Sequence, residues 1–230
     1  MTSPKTWRSD GEQARRRLLL AALECFVAHG YSKASVRDIA ERAQVNIAAI
    51  RYYFGDKAGL YRALFSDPEL HPSLSAEGDV QALPADISGA IRQLVQGLVE
   101  PLKAGEVARL CVRLYYREML EPSGVWQGQS CCQGQMQVAY ASLMQALTLH
   151  LGIPEDDDLS ALVFDILGMG AMLYMGADVI QAIRPQLLQG DAALDRYQER
   201  LTGYALALVD AEARRRGVDV SPLSYTSLRS

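Results

Sequence analysis

Apolar residues recur three and four positions apart through most of this 230-residue chain, the spacing that gathers them on one face of an α-helix. Alternation of the strand type is scarce, so the pattern predicts an all-α fold. A first helix runs from Glu12 to His29 and ends at Gly30-Tyr31. Ser35 caps a second, whose inward positions are Val36, Ile39, Ala40 and Ala43. Val45 is the apolar residue of the turn, and Asn46 caps a third helix, roughly Ile47 to Tyr53, with Ile50 and Phe54 facing inward. A fourth runs from Lys57 to Phe65. After a Ser-, Pro- and Gly-rich loop from Ser66 to Pro84, Ile87, Ile91, Leu94, Val95, Leu98 and Leu102 mark another amphipathic helix. Further helices are expected at Glu106–Leu120 and Gln133–Leu151. Another opens at Pro154 and the acids Glu155 to Asp158 and continues through Ala182, and the last spans Asp191–Arg216.

Two short helices joined by three or four residues form a helix-turn-helix, whose second member lies in the DNA major groove while the first crosses the backbone. Ala40 and Ala43 are small enough to let the second helix approach closely. Gln44 occupies the turn position where glycine is usual. The loop places a domain junction after residue 65, dividing the chain into 1–65, the helix-turn-helix domain, and 66–230, a helical bundle.

Taken whole, the stretches AALECFVAHGYSKASVRDIAERAQV and IRYYFGDKAGLYRALF resemble the DNA-binding domain of the TetR family of transcriptional regulators. The resemblance implies that Arg37 contacts bases or phosphate from the first helix of the motif. It places Ile47, Ala48 and Ala49 on the exposed start of the recognition helix, Arg51, Tyr52 and Tyr53 among its DNA contacts, and Lys57 at the phosphate-binding lysine. Because Ala48 and Ala49 offer only methyl groups, base readout would rest on Arg37, Arg51 and packing against thymine methyls. The segment RLYYREMLEPSGVWQ, Arg113 to Gln127, is similar to the CecR-like branch of the family, which implies a response to a small molecule.

Charge is distributed accordingly. Through Lys57 there are ten Lys or Arg against six Asp or Glu, +4; the remaining thirteen and twenty-one give −8, for a net −4. A pI near 5.4 would argue against nucleic acid if charge were uniform, but affinity follows the local phosphate-facing cluster. Lys5, Arg8, Arg15, Arg16 and Arg17 either extend that cluster or form a solvated helix end. No apolar run approaches the roughly 20 uncharged residues of a membrane span and no signal-peptide stretch opens the chain, so the expectation is a cytoplasmic protein. Cys25, Cys111, Cys131 and Cys132 fit reduced thiols.

For an effector, Arg113, Tyr116, Arg117 and Trp126 offer polar and aromatic groups, and Met169 and Met172 adaptable sulfur surface; the bland reading is core packing and an ion pair of Arg117 with Glu118 or Glu121. The helix that opens at Pro154 and the acidic run and continues through Ala182 carries a broad apolar surface with Gly168, Gly170 and Gly176 for close approach, and by the family resemblance it and the last helix, Asp191–Arg216, would form a twofold dimer bundle. His29, His71 and His150 lie in no metal-ligand spacing, and GxSxG, P-loop and GxGxxG motifs do not occur, so no enzyme, metal or cofactor is expected. The reading is a homodimeric, ligand-responsive regulator, a repressor, gripping a palindromic double-stranded operator. The alternative is a helical ligand-binding or protein-interaction module that has lost specific DNA binding.

Overall fold

A computed structural model describes residues 4–68, 70, 86–126 and 131–220, with the side chains of 4–9 and 131–133 outside the description. The loop expected from Ser66 to Pro84, the side chains of Lys5 and Arg8, His71 and the Cys131 and Cys132 thiols therefore lie largely or wholly outside it. Among the described residues there is no strand. The helices are α1 (Pro4–Lys33), α2 (Val36–Arg42), α3 (Ala48–Phe54), α4 (Lys57–Ser66), α5 (Ile87–Lys103), α6 (Glu106–Leu120), α7 (Cys131–Leu151), α8 (Asp157–Gly168), α9 (Met172–Met175), α10 (Ala177–Ile183) and α11 (Asp191–Arg216), with a 3-10 turn at Pro185–Leu187. They divide between two compact units, Met1–Gly78 with Glu106–Cys132, and Asp79–Gly105 with Gln133–Ser230.

In the first unit α1 is the central rod. It begins well before Glu12 and kinks at Gly30, whose φ of 75° a side chain would resist. Leu18, Leu19, Ala22, Leu23 and Phe26 on α1 meet Ile39 and Ala40 of α2, Ile50 of α3 and Leu60, Tyr61 and Leu64 of α4 in one apolar core. This unit is not the contiguous 1–65 stretch: α6 packs along α1 and contributes Cys111 and Leu114 to the same core. Burial raises the thiol pKa of Cys25, and that of Cys111 to about 11, so both stay protonated.

In the second unit α5 lies against α11, where the Lys103 ammonium bridges to Asp195 at 2.6 Å. The single helix expected from the acidic run to Ala182 is instead three pieces. It stops at Gly168, resumes as α9, and breaks again at Gly176. Glycine weakens a helix locally, and here Leu98 of α5 fills the space beside Gly170, where a Cβ would stand 2.5 Å from Leu98 Cδ1. The Tyr174 hydroxyl, donating to the Leu98 carbonyl at 2.6 Å, fixes the bend. The stretch Asp157–Met175 reaches the length and mean hydropathy, 1.4, of a membrane span, but it carries Asp157, Asp158 and Asp165 and is interrupted after Gly168, so in keeping with the expectation from sequence it is not an uncharged run of about 20 residues. At the start of α8, Asp156 caps the helix by accepting from the Leu159 N–H at 2.9 Å. The same carboxylate takes two bonds from Arg216, while Glu212 accepts from both Arg215 and Arg216. Those cations hold the Asp156 and Glu212 carboxyls down at about 2.

Candidate nucleic-acid interface

The helix-turn-helix is built by side chains that satisfy the ends of short helices. Ser35 Oγ accepts from the backbone N–H of Arg37 at 3.2 Å and of Asp38 at 3.4 Å, opening α2. At its end the Val45 N–H bonds to the Ala40 carbonyl and the Gln44 N–H to that of Glu41, a Schellman closure. Such a closure needs a left-handed residue, and Gln44 supplies it at φ 55°. The missing turn glycine is thus a strained glutamine in the conformation glycine would hold. Asn46 Oδ1 then accepts from the Ala48 N–H at 2.8 Å and starts α3, one residue later than expected.

Ile50 of α3 is buried, while Ile47 just before the helix and Ala48, Arg51 and Tyr52 on it are exposed, Tyr52 by 82%. Ala49 and Tyr53 differ from expectation: both are half-buried and pack on the core. A seven-residue helix lying on a core must turn part of its circumference inward, and these two fall beside Ile50 and Phe54. Tyr52 stands edge-on to Tyr53, ring centroids 4.9 Å apart. Arg37 is exposed on α2.

Gly55, at φ 81°, ends α3, and Asp56 Oδ1 accepts from the Gly59 N–H at 2.7 Å to cap α4. This places Lys57 in the first turn of α4, its Nζ 4.7 Å above the Tyr31 ring and donating to the Ser32 carbonyl at 3.4 Å. Burial lowers its pKa. Of the basic triplet, Arg15 faces inward: it pairs with the buried Asp67 at the end of α4 and lies over the Phe54 ring. It ties α1 to both α3 and α4.

Residues 18–64 match the pattern described as "Bacterial regulatory proteins, tetR family", and residues 87–211 match the C-terminal domain of the "HTH-type transcriptional dual regulator CecR". The chain belongs to the TetR family, in its CecR-like branch. It is 33% identical to the dual regulator CecR of Shigella flexneri over 126 residues, 50% of this chain and 56% of that protein. The chain spans about half the length of the curated relatives it matches. Among solved structures, an HlyIIR mutant shares the fold with a TM-score of 0.52 at 18% identity, covering 84% of this chain and 97% of the other. The SmeT–triclosan complex does so with a TM-score of 0.51 at 19% identity, covering 84% and 90%. The helix-turn-helix of α2 and α3 falls within the stretch that matches the TetR-family pattern.

In this CecR-like regulator the six residues named for an effector fall in different units. Arg113, Tyr116, Arg117 and Trp126 belong to the first, Met169 and Met172 to the second. Arg117 donates to the Val27 carbonyl of α1 at 2.9 Å and to Glu121 at 3.0 Å, and Gly30 leaves room for its guanidinium, which a Cβ would meet at 2.9 Å. Burial raises the Tyr116 phenol. Trp126 stands edge-on to Phe65 at 5.7 Å, its indole N–H buried with no hydrogen-bond partner among the described residues. Met169 is half-buried and Met172 exposed.

The sequence offers Glu118 as a polar group of α6 and as one ion-pair partner for Arg117, but Arg117 pairs with Glu121 and Glu118 turns inward. It is 3% exposed and accepts from the Tyr61 hydroxyl at 2.8 Å, and from the Ser123 N–H and hydroxyl at 3.1 Å each. The signal was present in the pattern: Cys111, Leu114 and Glu118 are spaced three and four apart, so the carboxylate sits on the inward stripe of α6.

Proposed function

We propose that the protein is a homodimeric repressor that holds a palindromic operator and leaves it when a small molecule binds its helical C-terminal part. The observation that carries this is the exposed set Ile47, Ala48, Arg51 and Tyr52 at the start of and along α3, with Arg37 exposed on α2 and Lys57 in the first turn of α4. Lys57, with Tyr53 and the basic N-terminus, would set register on the phosphates, and Arg37, Arg51, Tyr52 and the methyls of Ile47 and Ala48 would read bases. DNA binding is assigned to residues 1–65, effector binding and dimerisation to 66–230, and action to the cytoplasm, where the DNA is.

Dimerisation is supported by apolar side chains left in water on the second unit: Met172 and Met175 on α9, Val179 and Ile183 on α10, and Tyr204 and Leu208 on α11. A symmetric pair would set two recognition helices about 34 Å apart, one turn of DNA. Response to a small-molecule effector is supported by the likeness in fold to SmeT, which holds triclosan. Its power to release DNA equals its differential affinity for the bound and released states.

The test is selection of the purified protein on a randomised duplex pool at two salt concentrations, followed by sequencing. Enrichment of a palindrome with steep salt dependence is the expected result. Weak, sequence-indifferent retention at both salts would replace this reading with that of a module without specific DNA binding.

A further inference from the structure

A continuous set of contacts within the first unit runs from the loop after α6 to the lysine that opens α4. Trp126 stands edge-on to Phe65 at 5.7 Å, Phe65 edge-on to Tyr61 at 5.3 Å, and Tyr61 5.0 Å from Tyr31, over whose ring the Lys57 ammonium lies at 4.7 Å. A polar path runs beside it. Ser123 donates to Glu118, Glu118 accepts from the Tyr61 hydroxyl, and Arg62 reaches the Val125 carbonyl at 3.5 Å. The loop thus grips the side of α4 at Tyr61, Arg62 and Phe65, and Lys57 lies at the other end of the helix, about 12 Å from Phe65 along the axis.

We propose that Trp126 and Glu118 are positioning residues for DNA binding: by holding α4 through Phe65 and Tyr61 they set where the Lys57 ammonium stands. This rests on the reading of Lys57 as a phosphate contact. Edge-to-face rings are directional, so one ring cannot turn without its neighbour giving way. A close-packed interior transmits such a displacement rather than absorbing it. The buried Glu118 carboxylate resists release, because an unpaired buried acceptor is costly.

The experiment measures binding of the full chain to a mixed-sequence duplex of about 30 base pairs across a salt series, for wild type, Lys57→Ala, Trp126→Leu, Trp126→Phe and Tyr61→Phe, each first checked by thermal melting. Lys57→Ala is expected to reduce the slope of log affinity against log salt by about 0.9, one phosphate contact. Trp126→Leu and Tyr61→Phe should give the same reduction with about three- to tenfold weaker binding, and add nothing in the Lys57→Ala background. Trp126→Phe, which keeps an aromatic edge, should restore the slope. Tyr61→Phe loses only a hydroxyl, so it carries the test where Trp126→Leu does not fold. Unchanged slopes in these variants, or losses additive with Lys57→Ala, overturn the positioning role while leaving Lys57 a phosphate contact. An unchanged slope in Lys57→Ala itself overturns the reading of Lys57, and the proposal with it.

Discussion

The carbonyl oxygen of Phe54 fills the place where a side chain at Gly59 would begin: a Cβ there would lie 1.9 Å from it. The backbone N–H of Gly59 also closes the Asp56 cap, so α3 and α4 meet here main chain to main chain. Gly59→Ala must push the end of α3 away from α4. It should cost about 3 kcal/mol, at the upper end of overpacking penalties, and lower DNA affinity with it. Chemical denaturation reads the first and a gel shift the second; a variant as stable as wild type would mean that the two helices separate freely.

Gln44 pays the left-handed penalty in the turn of the motif. Gln44→Gly keeps the Schellman bonds and removes the Cβ that opposes them. Relief of about 1–2 kcal/mol, offset in part by glycine's extra freedom in the unfolded chain, should leave a gain of about 1 kcal/mol. The midpoint of urea unfolding should rise with an unchanged slope. A fall would show that the glutamine side chain holds the turn by contacts of its own.

Local signals in the sequence were legible where local physics decides the structure. Ser35 and Asn46 cap as their side chains dictate, and Ile39, Ala40, Ala43 and Ile50 are buried as their spacing requires. What could not be read from local pattern depends on partners far along the chain. Leu98 decides where the helix after Asp157 breaks, and Val27 and Tyr61 decide that Arg117 and Glu118 bind α6 into the first unit. Arg15 looked like one of three equivalent cations until Asp67 and Phe54 were brought to it. Periodicity reports which face is inward, not which residue waits there.

The acid cluster at the start of α8 makes stability fall on acidification. The Asp156 and Glu212 carboxyls sit at about 2, below their ordinary values of 3.8 and 4.5, because Arg215 and Arg216 favour the charged forms. A depressed carboxyl contributes stability fully above its unfolded value and loses it as pH falls through the folded one, so the loss should run from about pH 4.5 down to about 2. Asp156→Asn keeps an oxygen for the Leu159 N–H but drops the charge. Unfolding midpoints at pH 6 and pH 3 should therefore differ less in Asp156→Asn and Glu212→Gln than in wild type. Equal differences would remove the cluster from the acid response.

Ile183 is 70% exposed and belongs with Met172, Met175 and Val179 to the apolar side chains left in water on α9 and α10. If a second copy covers them, Ile183→Asp places a charge in a dry interface and should shift the protein from dimer to monomer at micromolar concentration. Sedimentation velocity measures this, with circular dichroism to confirm that helix content is kept. Wild type and variant sedimenting alike would move the assembly surface elsewhere.

Lys57 and Arg51 should fail in different ways. The Lys57 ammonium sits above Tyr31 at the start of α4, a place suited to a backbone phosphate, which carries no sequence information. Lys57→Ala should thus weaken binding to every duplex alike and reduce the salt slope by about 0.9. Arg51 is exposed beside Tyr52 on α3, where a guanidinium can take two acceptors of one guanine. Arg51→Ala should cost about 1–3 kcal/mol on the preferred site and far less on others, flattening preference at one position of each half-site. Selection and sequencing with both variants compares them directly. Uniform loss from both would assign Arg51 to the phosphates as well, and base readout would then fall to Arg37, Tyr52 and the methyls of Ile47 and Ala48.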